Sequence, residues 1–180
     1  MLLEIAKTIW LLIPAYTPNN FAVVFGGRGL PLDLGKNFID GKRILGDGKT
    51  FRGFIAGVLG GILCANLQYL IEEFTGIRLY HLLPYEEFLV LTFLLALGAM
   101  IGDSVGSFIK RRLCFERGEF LPIIDQLTFL IVALLIASGY DPFWKVFNIQ
   151  VIFIGILITP FLHVFTNYIA YKLKLKEVPW

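Results

Sequence analysis

Cysteine, histidine and methionine are almost missing from this chain, which has two of each in 180 residues. Cys64 sits in an apolar run and Cys114 in a basic one, with no C-x-x-C spacing. That pattern excludes a thiolate metal centre, a redox pair and a disulfide scaffold. His81 and His163 are too far apart in sequence to form a local ligand motif. There is no low-complexity linker and no internal repeat, so residues 1–180 are read as a single domain. Charged residues make up only 17% of the chain and the net charge is +2, and no nucleic-acid partner is expected.

Apolar residues are plentiful instead. They form 57% of the chain, and the mean hydropathy is +0.73. Soluble domains average roughly 45–50% apolar, so the composition indicates an integral membrane protein. A spanning helix needs about 20 apolar residues. Five segments qualify, at residues 5–25, 51–71, 88–109, 121–137 and 146–171. Pro14, Pro18 and Pro160 fall inside the first and fifth, where they predict kinks or breaks. No small-x-small cleavage site follows the first run, which is therefore read as a helix.

Of the sixteen Lys and Arg residues, thirteen fall on alternate connections. They are Arg28, Lys36, Lys42, Arg43, Lys49 and Arg52 in the first, Lys110, Arg111, Arg112 and Arg117 in the third, and Lys172, Lys174 and Lys176 in the tail. The positive-inside rule then gives an all-α multi-pass protein of the cell membrane, with about five transmembrane helices, its N-terminus outside and its C-terminus cytoplasmic. The second connection, with Glu72, Glu73, Glu86 and Glu87, reads as a solvated external cap.

The chemistry concentrates around residues 102–126. Asp103, Ser107 and Lys110 stand at i, i+4 and i+7 and share a helix face. Asp103 lies about 10 Å deeper than Lys110 at 1.5 Å per residue. Asp125 enters the next helix from the same membrane face. Intramembrane carboxylates are costly and mark function. Two of them can hold a divalent cation together with phosphate oxygens, or each can form an ion pair that locks helices. The first loop ends Gly46-Asp-Gly48-Lys49-Thr50-Phe-Arg52-Gly53. Glycines and helix-start N–H groups favour phosphate. The P-loop pattern fails, because its first glycine would fall at Arg43 and no strand precedes it. The stretch is a phosphate site of another kind or a positive-inside flank. Asn19 and Asn20 either contact a ligand or cap backbone freed by Pro18. His163 is read as a satisfied buried histidine. Gly53, Gly57 and Gly61, and Gly98, Gly102 and Gly106, form small-xxx-small faces that predict close packing of the second helix on the third. That packing brings Lys49 and Arg52 near Asp103.

Taken together, Asn19-Asn20-Phe-Ala-Val-Val-Phe-Gly-Gly, Gly46 to Gly53, Gly102-Asp103, Ser107-x-x-Lys110-Arg111 and Pro122-x-x-Asp125-Gln126 resemble the archaeal CDP-archaeol synthases. These are cytidylyltransferases related to the phosphatidate cytidylyltransferases. The wider signature Pro-x-His-Gly-Gly-x-x-Asp-Arg-x-Asp is shortened here, with Gln126 and Thr128 in place of its Arg and last Asp. The resemblance implies transfer of CMP from CTP to unsaturated archaetidic acid, a prenylated glycerol phosphate lipid, with Mg2+ as cofactor and an active site facing the cytoplasm. It implies that Asp103 and Asp125 hold the metal and that Lys110 joins them in catalysis. Lys49, Thr50, Arg52, Ser107, Arg111, Gln126, Asn19 and Asn20 would contact the substrates. The competing expectations are a CTP-dependent lipid kinase and an ion or proton transporter using Asp103 and Asp125 as a relay.

Overall fold

The computed structural model describes residues 1–27, 29–116 and 118–175. Arg28, Arg117 and Lys176, counted in the charge pattern, lie outside the described residues. The helices are α1 (Leu2–Gly26), α2 (Phe51–Thr75), α3 (Tyr85–Arg112), α4 (Ile124–Ser138), a one-turn α5 (Phe143–Val146) and α6 (Ile149–Lys172). A 3-10 turn, Tyr80–Leu82, lies between α2 and α3. Among the described residues there is no strand, only isolated bridges between Pro31 and Thr50 and between Asn37 and Arg43.

The five long helices occupy the five apolar segments. By length and composition α2, α3 and α6 can each cross a membrane. The fourth helix begins at Ile124 rather than 121 and has 15 residues, fewer than a full span needs. Pro122 and the turn after it delay its start. The fifth segment forms α6, which starts at Ile149 after the one-turn α5, and Asn148 caps it by accepting from the Val151 N–H at 2.8 Å.

The expected breaks at proline do not occur. The helical runs of α1 and α6 pass through Pro14, Pro18 and Pro160. Pro14 cannot donate to the Trp10 carbonyl, and the side chain of Gln68 on α2 does so instead at 2.7 Å. A neighbouring helix thus supplies the missing donor and α1 stays whole.

The main packings are α1 on α2 and α3 on α4. Close approach of the α2 glycines drives the first. A Cβ on Gly61 would lie 3.0 Å from the Pro14 carbonyl oxygen, and one on Gly57 would lie 2.9 Å from that of Pro18. The same two glycines touch Ala96 and Met100 of α3, as expected. The α3 glycines correct the expectation, because Gly98, Gly102 and Gly106 pack on Ala133, Thr128 and Phe129 of α4 rather than on α2. Apolar side chains fill the centre, among them Leu12, Leu91, Leu95, Leu130 and Ala133. The outward stripe Ile55, Leu59, Leu63, Leu67 of α2 is exposed and wholly apolar, which suits lipid rather than water.

In the second connection Glu73 and Glu86 are exposed, as the solvated-cap reading expects, but Glu72 departs from it. Glu72 is a buried α2 residue, 1% exposed. One of its oxygens accepts from Trp10 Nε1 at 2.8 Å. The other accepts from the backbone N–H groups of Leu79, Tyr80 and His81 at 3.0, 2.8 and 3.1 Å. A buried carboxylate needs such donors, and here it ties the turn to α1 and α2.

Candidate active site

At the opposite end of the bundle the long connection between α1 and α2 folds over the end of α3. Its organiser is Asp33, which the sequence reading passed over. The Asp33 side chain is fully buried. It accepts from the N–H groups of Gly35, Leu45 and Gly46 at 3.1, 3.0 and 2.9 Å. Arg43 donates to both of its oxygens, at 2.8 and 3.2 Å. Burial alone would raise its pKa, but Arg43 and the three backbone donors outweigh that and hold it well below the usual carboxylate range. The same two acids, Asp33 and Asp47, hold the Arg43 guanidinium above its ordinary value. An Asp-x-Gly turn at 33–35 was the sequence signal for this hub.

The loop is pinned to α3 by Arg112. Its guanidinium donates to Asp40 at 2.6 Å and to the Arg43 carbonyl at 2.5 Å, and it lies 4.9 Å from the ring centres of Phe38 and Phe108. Lys42 answers from the loop side, with Nζ 3.2 Å from the Arg112 carbonyl and 2.9 Å from Cys114 Sγ. Anchored in this way, the loop delivers Lys49 and Thr50 to the bundle.

Lys49 pairs with Asp103, and Lys110 with Asp125. Lys49 Nζ donates to Asp103 Oδ2. Lys110 Nζ lies 3.0 and 2.8 Å from the two Asp125 oxygens and also donates to the Glu119 carbonyl. Asp125 Oδ2 accepts the Leu121 N–H at 2.9 Å. Asp103 and Asp125 keep 29% and 22% of their side chains exposed, so both can be reached. They come from one packed seam. Gly102 and Gly106, which flank Asp103, lie against Thr128, Phe129 and Ile124, which surround Asp125.

The turn before Asp125 is strained. Ile123 has φ 69° and ψ −54°, and the Ile124 N–H donates to the Pro122 carbonyl at 2.7 Å, which makes a γ-turn. A β-branched residue at positive φ is rare, and such strain costs about 1–3 kcal/mol. It places Asp125 in the first turn of α4, close to Lys110. Gln126 Oε1 accepts the Ile123 N–H at 3.4 Å, so Gln126 bears on this turn.

The remaining expected contacts divide. Thr50 caps α2, its Oγ1 accepting the Gly53 N–H at 3.1 Å. Ser107 Oγ donates to the Asp103 carbonyl at 3.1 Å. Arg52 does not approach Asp103; its guanidinium lies by Gly27 and its Cβ by Gly29. Among the described residues neither Arg52 nor Arg111 has an acidic partner, and Arg111 Nε is buried without an acceptor. Arg111 lines an open cleft of about 410 Å³ with Lys42, Arg43, Gly46, Asp47, Cys114 and Phe115. Asn20 is an exposed helical residue of α1, and Asn19 Oδ1 is buried with no hydrogen-bond partner. His163 is half-buried rather than enclosed.

The arrangement can neutralise a polyphosphate. Two carboxylates offer hard oxygen ligands, an ammonium sits on each, and Arg111 lines the cleft with Lys42 and Arg43. No cluster of three or more His, Cys, Asp or Glu is present among the described residues, so a cation here would draw its other ligands from substrate and water, as Mg2+ commonly does.

The CarS-like family model, described as CDP-archaeol synthase, matches residues 1–180. The CDP-archaeol synthase of Archaeoglobus fulgidus is 64% identical over 180 residues, covering 100% of both chains. That of Methanocaldococcus jannaschii is 45% identical over 177 residues, covering 96% of each. A solved structure of an intramembrane enzyme for archaeal membrane lipids biosynthesis superposes with TM-score 0.74 at 36% identity, covering 91% of this chain and 94% of that one.

Proposed function

The chain belongs to the CDP-archaeol synthase family, a membrane-bound nucleotidyltransferase of archaeal lipid synthesis, and from that premise we propose that it transfers CMP from CTP to unsaturated archaetidic acid at the cytoplasmic membrane face. A phosphate oxygen of the lipid forms a bond to the α-phosphorus of CTP, the α–β bridging bond breaks, and pyrophosphate leaves. The observation that carries this reading is the seam of Asp103 and Asp125, each on its own lysine.

The donor set suits Mg2+, which Asp103 and Asp125 would hold. When bound, the ion supplies Lewis-acid neutralisation of phosphate oxygens. The nucleophile is already anionic, so no side chain has to remove a proton, which agrees with a seam free of histidine and cysteine. Lys49 and Lys110 bring ammonium groups to the phosphates. Arg52 and Arg111 neutralise the leaving pyrophosphate from the loop side. The Arg111 cleft has the room and charge for the outer part of the nucleotide.

A kinase would need a base beside a neutral hydroxyl, and among the described residues no cluster of three or more His, Cys, Asp or Glu stands in the seam. A proton relay would need polar groups continuing along α3 and α4, where Leu91, Leu95, Leu130 and Leu134 are buried instead.

The test is pyrophosphate release by purified protein with Mg2+, CTP and unsaturated archaetidic acid, against ATP and an unphosphorylated prenyl glycerol. Release with CTP and the phosphorylated lipid alone is expected. Release with the neutral lipid, or none from folded protein, overturns the reading.

A further inference from the structure

The basic end of α6 behaves differently from the rest of its inner face. Val151, Gly155 and Thr159 on that face are buried. The continuing stripe, Pro160, His163, Asn167 and Ala170, is only half-buried. The helix is therefore sealed against the bundle along its first half and stands partly open along its second. The polar residues on the open stripe are a histidine and an asparagine, with Asn167 Nδ2 3.2 Å from the His163 ring nitrogens.

Two contacts fix what lies opposite. Gly155 sits against Thr8 and Leu12 of α1, and one turn on, Thr159 Oγ1 meets Tyr16 OH at 2.8 Å. The two helices advance together and so run parallel, and four residues further brings His163 level with Asn19 and Asn20. Asn19 Oδ1 is buried without a hydrogen-bond partner among the described residues. On the other side, the His163 ring lies 6.2 Å from that of Phe129 on α4. The Phe129 backbone rests directly on Gly102, the residue before Asp103. One aromatic ring thus separates His163 from the helix segment that carries the catalytic carboxylate.

We propose that His163 and Asn167, with Asn19 across the α1–α6 seam, bind the phosphoglycerol headgroup of the lipid acceptor, which enters between the open half of α6 and the bundle. This rests on the cytidylyltransferase reading and adds the acceptor's subsite to it. The imidazole N–H of His163 and the amide Nδ2 groups of Asn19 and Asn167 donate to phosphate and ether oxygens, so Asn19 takes part through Nδ2 and not through the accepting Oδ1, and polar side chains at membrane depth carry a cost that function justifies. The outward side of the same half-helix, Phe161, Val164, Phe165 and Tyr168, is exposed and apolar or aromatic. That surface leaves the prenyl chains in lipid while the headgroup turns inward toward Asp103. A purely structural role, the two residues joining helices as hydrogen-bonding glue, predicts a different kinetic signature.

The test uses full-length protein in detergent and initial rates of pyrophosphate release, varying unsaturated archaetidic acid and CTP separately. His163→Ala and Asn167→Ala should each raise the lipid KM about tenfold or more and leave the CTP KM, and the thermal shift given by CTP, within twofold. His163→Phe keeps an aromatic ring against Phe129 and should still show the raised lipid KM. Wild-type lipid KM in His163→Phe or in Asn167→Ala overturns the inference, as does an equal loss of CTP binding. A wild-type protein inactive with this lipid and CTP fails the underlying reading instead, a result separate from any effect of the variants.

Discussion

Lys110 of α3 grips both oxygens of Asp125 on α4, at 3.0 and 2.8 Å, while Asp103 one face away is held by Lys49 from the loop. Each carboxylate thus has an ammonium group on it, and in the proposed reaction each lysine would meet phosphate charge. Removing either acid should stop the reaction without unfolding the bundle. Asp103→Asn and Asp125→Asn are each expected to lower turnover by at least about 10²-fold, the scale of losing one preorganised electrostatic group. Helical circular dichroism should be retained in both. Asp125→Asn should also loosen residues 119–125, because Asp125 accepts the Leu121 N–H as well, and hydrogen exchange there would register it. Full turnover in Asp103→Asn would refute the assignment.

Asp33 predicts how the loop answers to acid. Its carboxyl titrates lower in the folded protein than in the unfolded chain, so the folded state binds fewer protons and stability from Asp33 rises with pH through that interval. The contribution is complete above the unfolded value of about 3.9 and is lost as pH falls from there toward the folded value. Protease sensitivity of residues 33–46 should thus be flat from pH 7 to pH 5 in the wild type. Asp33→Ala should open the loop across that whole range, at a cost of about 1–3 kcal/mol from donors left without an acceptor. A wild-type loop that opens between pH 7 and 5 would contradict this.

The parts legible in the sequence were those written in local pattern. Apolar runs located the five long helices, and Asp103, Lys110 and Asp125 stood out because charge inside such runs is rare. The parts that depend on partners far along the chain were not legible. Proline broke α1 on paper, but Gln68, from 58 residues on, supplies what Pro14 removes. The α3 glycines announced a close neighbour without saying that it was α4. Glu72 looked like surface because the Trp10 indole and the turn N–H groups that bury it are invisible to composition. Arg52 was expected near Asp103 from close packing of the second helix on the third, yet its guanidinium lies by Gly27 and its Cβ by Gly29.

Glycine substitutions discriminate the packing roles. A Cβ on Gly102 would lie 2.5 Å from the Thr128 carbonyl oxygen and 2.6 Å from Phe129 Cα. Both are backbone atoms, so α3 and α4 would have to separate. Gly102→Ala should cost about 1–3 kcal/mol as overpacking and should also reduce turnover, because the seam carries both carboxylates. A Cβ on Gly60 meets only the Phe21 ring, at 2.1 Å, and that half-buried ring can swing away. Gly60→Ala should therefore shift the melting temperature less and leave kcat near wild type. Thermal unfolding in detergent beside initial rates compares the two, and equal shifts would show that the Phe21 ring is as fixed as the α4 backbone.

Glu72 separates stability from catalysis. It lies on α2 some 19 residues beyond Gly53, about 28 Å along the helix at 1.5 Å per residue, so it touches nothing in the seam. Its two oxygens serve the Trp10 indole and three backbone N–H groups of the turn before α3, and the His81 ring Nδ1 lies 3.2 Å from one of them. Glu72→Gln keeps one carbonyl oxygen and replaces the other with an NH2 group that must face a donor. The less costly orientation turns the amide nitrogen to Trp10 and keeps the oxygen on the turn, leaving the indole N–H unsatisfied. A loss of about 1–3 kcal/mol follows. Trp10→Phe removes that conflict, so the double variant should recover part of the loss seen in Glu72→Gln alone. Below the unfolding transition both should show wild-type kcat and KM for CTP and lipid. A fall in kcat at a temperature where the variant is fully folded would mean that α2 transmits the state of the far end to Lys49 and Asp103, and that the two ends of the bundle are one mechanical unit.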